Sequence, residues 1–420
     1  MYNPTSAFII VFSGYITIRD WTEIDISGQN DFVSIFDILF FILIFVNIIR
    51  IVYNKEKIVF PKTNGVNLTI ILFFISISIF PAVGIIFNQY SISYITPTIR
   101  YFQWFLFFPT VIYLCVYKNL SYKYILGSLG LAVVVQLGYG SLQYLEYLDI
   151  ITELPHHDIL ADQTDRTRFD GRSTGFFGNP NLYGILMAVC SLCFIPQIGK
   201  NNGSWPLIAL ILGIFGVLLS GSRTALVILI IPASFYILNL FLQSEGFNSK
   251  QILYLTSGIF ISIGVLVPFV GDRFVELLLL FTGDFNEIST LEVRFMNWEN
   301  QINSYRQNGP TMVFTDITTD SYYLSIIRQS GIFGLISVLV MYVYILREGI
   351  RSVSVSRIYS EVLILVVLAI LLANITMTAM ASIDIQVIFW SHVGFLFYET
   401  KMSSMMNPWD NKNRFKNETS

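Results

Sequence analysis

Long runs of hydrophobic residues, separated by short polar segments, extend over most of the 420-residue chain. Runs of about 17–25 apolar residues have the length of a helix that crosses the hydrocarbon core of a bilayer. The pattern predicts an all-α fold, a polytopic transmembrane helical bundle of about twelve helices, with residues 1–420 forming one integral membrane domain. The approximate spans are 3–18, 32–53, 66–88, 99–117, 124–148, 181–199, 205–220, 224–242, 252–270, 323–346, 358–378 and 383–399.

Two of the polar segments are much longer than the others, at 149–180 and 271–322. Loops of this length in a compact protein are usually functional or disordered. Within the second loop, apolar residues such as Trp298 and Ile302 alternate with charged and amide residues over 291–305, which is typical of an amphipathic helix. We expect this segment to lie across the outer membrane surface as a lid.

The composition is that of a membrane protein, with 54% hydrophobic residues, 13% charged residues and a mean hydropathy of +0.64. A soluble domain carries roughly 25% charged residues. The net charge of -3 gives no indication of a nucleic-acid partner. Cys190 and Cys193 have a CxxC spacing but lie inside a predicted span, so we interpret them as packing residues rather than a redox pair.

The lysines predict the orientation of the bundle, because all of them fall in alternate connections between spans or in the C-terminal tail. They are Lys55, Lys57, Lys62, Lys118, Lys123, Lys200, Lys250, Lys401, Lys412 and Lys416. By the positive-inside rule this side is cytoplasmic, with both termini. Both long loops are then extracytoplasmic.

The outer connections carry arginines but no lysine. Among them are Arg166, Arg168, Arg172, Arg223, Arg273, Arg294 and Arg306. A guanidinium matches phosphate or carboxylate with two parallel hydrogen bonds, which a lysine ammonium does not. This distribution predicts an outward-facing site for an anionic, phosphate-bearing ligand. Single arginines in the set could instead lie beside lipid headgroups or in internal ion pairs.

The segment 172–181, Arg-Ser-Thr-Gly-Phe-Phe-Gly-Asn-Pro-Asn, closes the first long loop. Its glycines permit tight turns, and Asn179, which precedes a proline, is expected to be extended. We expect Asn181 to cap the helix that follows. The segment is then either a well-formed helix start or a support that holds Arg172 at the mouth of the bundle.

A second polar group, Ser-Gly-Ser-Arg at 220–223, separates two predicted spans. Arg223 is therefore expected near the outer edge of the hydrocarbon, where a charge is usually paired or functional. The alternative is that its long side chain extends to the lipid headgroups.

The end of the second loop carries a third polar group. Asp320 stands where the next helix begins, and it could cap that helix, orient an incoming hydroxyl or pair with an arginine. Arg328 is expected two turns further in, on the same helix face. His156 and His157 are adjacent on a loop and have no clear third ligand, so we predict no metal and no cofactor.

These residues resemble the O-antigen polymerase and O-antigen ligase superfamily, membrane glycosyltransferases with a GT-C-like bundle. The resemblance covers Arg172 to about Gly334. It rests on GFFGNPN, on SGSR between two spans, on Arg-x-x-x-Trp at 294–298, and on a polar-Ser-Tyr-Tyr-Leu helix start followed by Gly-Ile-Phe-Gly-Leu. The ligase branch has a histidine at that helix start. Here Asp320 and Ser321 stand there and 271–322 contain no histidine, which favours the polymerase branch.

The resemblance implies an enzyme that polymerises undecaprenyl-diphosphate-linked oligosaccharide repeat units of an O-antigen, capsule or exopolysaccharide, without a metal. It also implies that arginines bind the donor diphosphate, for which we expect Arg223 and Arg294. Asp320 is the candidate for acceptor orientation or general base. Further substrate-binding candidates are Arg172, Asn179, Asn181, Tyr323 and Arg328.

The expected location is the bacterial cytoplasmic (inner) membrane, with the site facing the periplasm or exterior. Expected partners are the lipid-linked donor and acceptor, membrane lipids and a chain-length-regulating membrane protein. A purely structural or receptor membrane protein would not need two arginine-rich outer loops that enter the bundle. Two other functions stay open. One is an O-antigen ligase that transfers the polymer to lipid A core. The other is a lipid or solute transporter, although such proteins more often carry inverted repeats and charges near the membrane midplane.

Overall fold

The computed structural model describes residues 3–18, 23–25, 32–54, 68–78, 95–151, 171–198, 204–242, 295–300, 302–303 and 321–405. The described chain is almost entirely helical. Its α-helices are α1 (Pro4–Ile18), α2 (Ile35–Asn54), α3 (Leu68–Ser78), α4 (Ile95–Phe105), α5 (Phe107–Lys118), α6 (Tyr122–Tyr147), α7 (Pro180–Phe194), α8 (Trp205–Leu219), α9 (Arg223–Leu242), α10 (Tyr322–Ser352), α11 (Arg357–Thr376) and α12 (Ile383–Met405). Residues 295–300 and 302–303 are also helical.

Two short strands lie between α1 and α2 in this otherwise helical chain. β1 (Glu23–Asp25) and β2 (Phe32–Ser34) pair antiparallel, with Ile24 opposite Val33. Three single turns of 3-10 helix, Gly175–Phe177, Ile195–Gln197 and Ala379–Ala381, lie next to α-helix ends.

Six helical segments of the described chain are long and apolar enough to cross a bilayer, which supports a membrane protein. They are Ile35–Asn54, Tyr122–Tyr147, Pro180–Gln197, Arg223–Leu240, Tyr322–Ser352 and Arg357–Thr376. Shorter apolar helices are Pro4–Ile18, Leu68–Ser78 and Trp205–Leu219. The predicted span 252–270 and most of both long loops lie outside the described residues. Of the predicted lid, 295–300 and 302–303 are described.

The centre of the bundle is α7, in which every side chain from Tyr183 to Phe194 is buried. Helices α8, α9, α11 and α12 contact it. A Cβ on Gly216 of α8 would lie 2.9 Å from Met187 Cγ, so the absence of a side chain there lets α8 approach α7 closely. Cys190 and Cys193 are buried free thiols in this helix, which agrees with a packing role.

Among the described residues, Lys118 and Lys123 lie at one end of the bundle and Arg172 lies at the other. The hydroxyl of Thr5, in the first turn of α1, donates to the carbonyl of Lys118 at 3.2 Å. Helix α6 begins just after this point, at Tyr122, and a 26-residue helix is about 39 Å long. At its other end Tyr147 packs against Gly171, one residue before Arg172.

Helix α10 is folded back on itself at Gly331, whose φ of 65° and ψ of -168° are not helical. The hydroxyl of Ser321, just before α10, donates to the backbone carbonyl of Asn374 at 3.2 Å. Asn374 Nδ2 donates to the hydroxyl of Tyr342 at 3.2 Å. An unbroken helix would separate residues 322 and 342 by about 30 Å. Both ends of this stretch can reach Asn374 only because the chain reverses between them.

The reversal corrects two expectations. The predicted span 323–346 is not one straight helix, and the part of α10 that can cross a bilayer is 332–352, a length of about 31 Å. Gly349 packs against Ile364, so this second half runs antiparallel to α11. Arg328, near the apex of the fold-back, therefore does not lie two turns deeper in the bundle than Tyr322.

Candidate functional site

The candidate site lies where α7 and α9 begin, at the end of the bundle opposite Lys118 and Lys123. Thr224, in the first turn of α9, and Thr376, the last residue of α11, are joined by a hydrogen bond of 3.1 Å between their hydroxyls. Ser321, beside Asn374, brings the start of α10 to the same end. Three helix N-termini are thus collected at this end of the bundle.

The segment 172–181 makes the tight re-entry that its glycines indicate. Gly175 and Gly178 have φ angles of 57° and 61°, in the left-handed region that favours glycine. Asn179 is extended, with φ -127° and ψ 115°, as expected for a residue before proline.

The expected capping residue is wrong by two positions. The Oδ1 atom of Asn179 accepts hydrogen bonds from the backbone N–H groups of Asn181 and Leu182, at 2.9 and 3.4 Å. Pro180 is the first helical residue, a position at which its missing N–H has no cost. Because Asn179 caps α7, the side chain of Asn181 is available for a different contact.

That contact is with Arg172, whose Nη2 donates to Asn181 Oδ1 at 2.8 Å. The Nε of the same guanidinium donates to the carbonyl of Ser220 at 2.9 Å. One residue further on, the N–H of Ser173 donates to the carbonyl of Leu219 at 2.9 Å. The first long loop is therefore bound directly to the turn between α8 and α9.

The turn 220–222 is held by its own serines. The N–H of Ser222 donates to the hydroxyl oxygen of Ser220 at 3.1 Å, and Gly221 has a left-handed φ of 56°. The hydroxyl oxygen of Ser222 accepts from the N–H of Ala225 at 3.3 Å, so Ser222 caps α9. Arg223 is the first residue of α9 and is half-buried.

Positive charge is collected at this end of the bundle among the described residues. Neither α7 nor α9 has an acidic residue in its first turn. The N-terminal end of a helix carries a partial positive charge, so an arginine there is unfavourable by about 0.3–1 kcal/mol unless an anion is nearby. Backbone N–H groups at helix starts also bind phosphates. Arg172 and Arg223 thus add two full positive charges to an end that is already positive.

Two glutamines of α6, which are not among the residues predicted from the sequence, hold the described end of the first long loop in place. Gln143 Oε1 accepts from the N–H groups of Thr174 and Gly175, each at 2.9 Å. Its Nε2 donates to Thr174 Oγ1 at 2.9 Å and to the Gly175 carbonyl at 3.2 Å. Gln136 Oε1 accepts from the N–H of Phe176 at 3.0 Å. The spacing of the two glutamines in the sequence indicates a shared position, because residues seven apart lie on one face of a helix.

The remaining candidates have these positions. Tyr323 donates its hydroxyl to the carbonyl of Leu371 at 3.0 Å, which attaches the first half of α10 to α11. Arg328 is half-buried near the apex of the fold-back. Arg294 and Asp320 lie outside the described residues, as do His156 and His157. In the part of the chain that the structure describes, no group of three or more His, Cys, Asp or Glu residues is arranged to hold a metal.

No protein-family model and no curated protein matches this chain.

Proposed function

We propose that this protein is a membrane glycosyltransferase that polymerises oligosaccharide repeat units linked to undecaprenyl diphosphate. The observation that carries the proposal is the position of Arg223 at the start of α9, after a turn that Arg172 connects to the start of α7, in a bundle of apolar helices. The Arg223 guanidinium and two helix N-termini suit a diphosphate, and an apolar bundle suits its lipid tail. The resemblance at 172–181 and 220–223 supports the same assignment.

The proposed reaction moves a growing saccharide chain from one lipid diphosphate to the next lipid-linked unit. The bond between the anomeric carbon of the donor and its phosphate oxygen breaks. A new bond forms between that carbon and a hydroxyl oxygen of the acceptor, which loses its proton. The leaving lipid diphosphate takes up the negative charge, so fixed cations beside it lower the barrier.

In this proposal Arg223 and Arg294 form the clamp that binds the diphosphate. Arg223 has the better-defined surroundings, because its helix start is capped by Ser222 and attached to α11 through Thr224. Asp320 orients the acceptor hydroxyl or accepts its proton. The site faces the outer side of a bacterial cytoplasmic membrane, opposite the lysine-bearing connections.

The test is the pool of lipid-linked saccharide in bacteria that lack the protein. We expect single repeat units to accumulate on the lipid carrier and to be accessible to a lectin added from outside. Long polymers stranded on the carrier would instead indicate a ligase. Single units that only become accessible after the membrane is opened would indicate a transporter of the lipid-linked unit.

A further inference from the structure

The guanidinium of Arg172 makes contacts within the protein. Its Nε and Nη2 atoms donate to the Ser220 carbonyl at 2.9 Å and to Asn181 Oδ1 at 2.8 Å. These two acceptors belong to different elements, the turn after α8 and the first turn of α7. The side chain thus connects the start of α7 to the turn that precedes Arg223.

The aliphatic part of the Arg172 side chain is also closely packed. A Cβ on Gly221 would lie 3.2 Å from Arg172 Cγ and 3.4 Å from its Nε. The arginine therefore lies flat against the glycine of the turn, and a larger residue at 221 would push it away. Gly221 is two residues before Arg223.

The backbone that carries Arg172 is also held from the other side. The hydroxyl of Ser173 donates to the Gly140 carbonyl of α6 at 2.7 Å, and Gln143 of α6 binds Thr174 and Gly175. Helix α6 thus holds the backbone of residues 173–175 in place. The Arg172 side chain links this backbone to the 220–222 turn.

We infer that Arg172 is a positioning residue that orients Arg223 toward the diphosphate, rather than a ligand of the diphosphate. The inference rests on the proposed function and refines the role of one residue in it. A lysine at 172 would keep the positive charge, but a single ammonium nitrogen does not reproduce the planar fork that reaches both acceptors. Asn181, as the acceptor of Nη2, shares the positioning role.

The experiment uses the full-length protein in lipid nanodiscs, with geranyl diphosphate as the probe and calorimetry as the measurement. The variants are Arg172→Lys, Asn181→Ala and the double variant, compared at a temperature at which all of them are folded. We expect each single variant to weaken binding by at least about tenfold. The double variant should be no weaker than Arg172→Lys, because both changes break the same connection.

Two further variants complete the set. Arg223→Lys should weaken binding by at least as much as Arg172→Lys. Arg351→Lys, a change at an exposed arginine three residues from Glu348, should bind like the original protein.

Wild-type affinity in Asn181→Ala together with a loss in Arg172→Lys would overturn the inference, because it would mean that Arg172 binds the diphosphate directly. Additive losses in the double variant would overturn it as well. Lower thermal stability with unchanged affinity in both single variants would also contradict the inference, because it would mean that Arg172 has only a structural role. A wild-type protein that does not bind geranyl diphosphate would instead overturn the proposed diphosphate site itself.

Discussion

The side-chain amide of Asn374 donates a hydrogen bond to the hydroxyl of Tyr342, and both groups are buried. The same residue accepts from the Met380 N–H through its Oδ1 at 3.1 Å and from the Ser321 hydroxyl through its backbone carbonyl at 3.2 Å. Asn374 thus binds the end of α11 to both halves of α10. This arrangement fixes where α10 re-enters the bundle, immediately after Asp320 in the sequence.

We predict that Asn374→Ala destabilises the protein by about 2–4 kcal/mol, because it leaves the Met380 N–H and the Tyr342 hydroxyl buried without this partner. Thermal unfolding in detergent would measure the effect. Tyr342→Phe is the matched variant, because it removes one hydroxyl and little volume. Its effect should be smaller and should not add to that of Asn374→Ala; full additivity would mean that the two side chains do not interact.

We predict that Gly331→Ala lowers the thermal midpoint, because a φ of 65° with ψ of -168° is almost restricted to glycine. The expected cost is about 1–3 kcal/mol. Gly138→Ala in α6 is the control, because a Cβ at Gly138 would meet nothing within 4 Å. That change should leave stability the same or raise it by up to about 1 kcal/mol. Equal effects of the two changes would argue against the fold-back.

We predict that Arg223→Lys strongly shortens the surface polysaccharide while the amount of protein stays normal. The lysine keeps the charge but loses the paired hydrogen bonds to phosphate. Gel ladders of surface glycan and immunoblots of membrane fractions measure the two quantities. Thr224→Val, which changes the neighbouring hydroxyl without changing charge, is the control for a general disturbance of the helix start. A lysine variant with ladders of normal length would mean that Arg223 acts only as a surface cation.

The two ends of the bundle can be assigned to the two sides of the membrane by cysteine labelling. We predict that Ile150→Cys, at the end of α6 next to the first long loop, reacts with an impermeant thiol reagent in cells with a permeabilised outer membrane. Ser354→Cys, between α10 and α11, should react only after the inner membrane is opened. Both positions are exposed, and the native cysteines are all buried. The reverse labelling pattern would contradict the proposed orientation.

Much of the architecture follows from the sequence. A bilayer requires long apolar helices, and the distribution of lysines among the connections predicts which connections share one side of the membrane. Five of the six candidate spans that the structure contains were predicted in this way, with ends that shift by a few residues. The sixth, Tyr322–Ser352, was predicted as one straight helix, and its fold-back at Gly331 was not. The turn at Gly175 and Gly178 was also predictable, since only glycine adopts these φ angles without strain.

The sequence by itself determined that the chain forms apolar helices and which short segments turn sharply between them, because both depend on neighbouring residues. Only the tertiary structure decided which distant side chains meet. In the structure Asn179 caps α7, and the side chain of Asn181 accepts a hydrogen bond from Arg172. Helix α10 folds back at Gly331, which brings Tyr342 to Asn374. The Asn374 and Tyr342 side chains are 32 positions apart in the chain, and Arg172 reaches the carbonyl of Ser220 across 48 positions, so neighbouring residues alone do not determine these contacts. The packing of α6, α7 and α11 determines them.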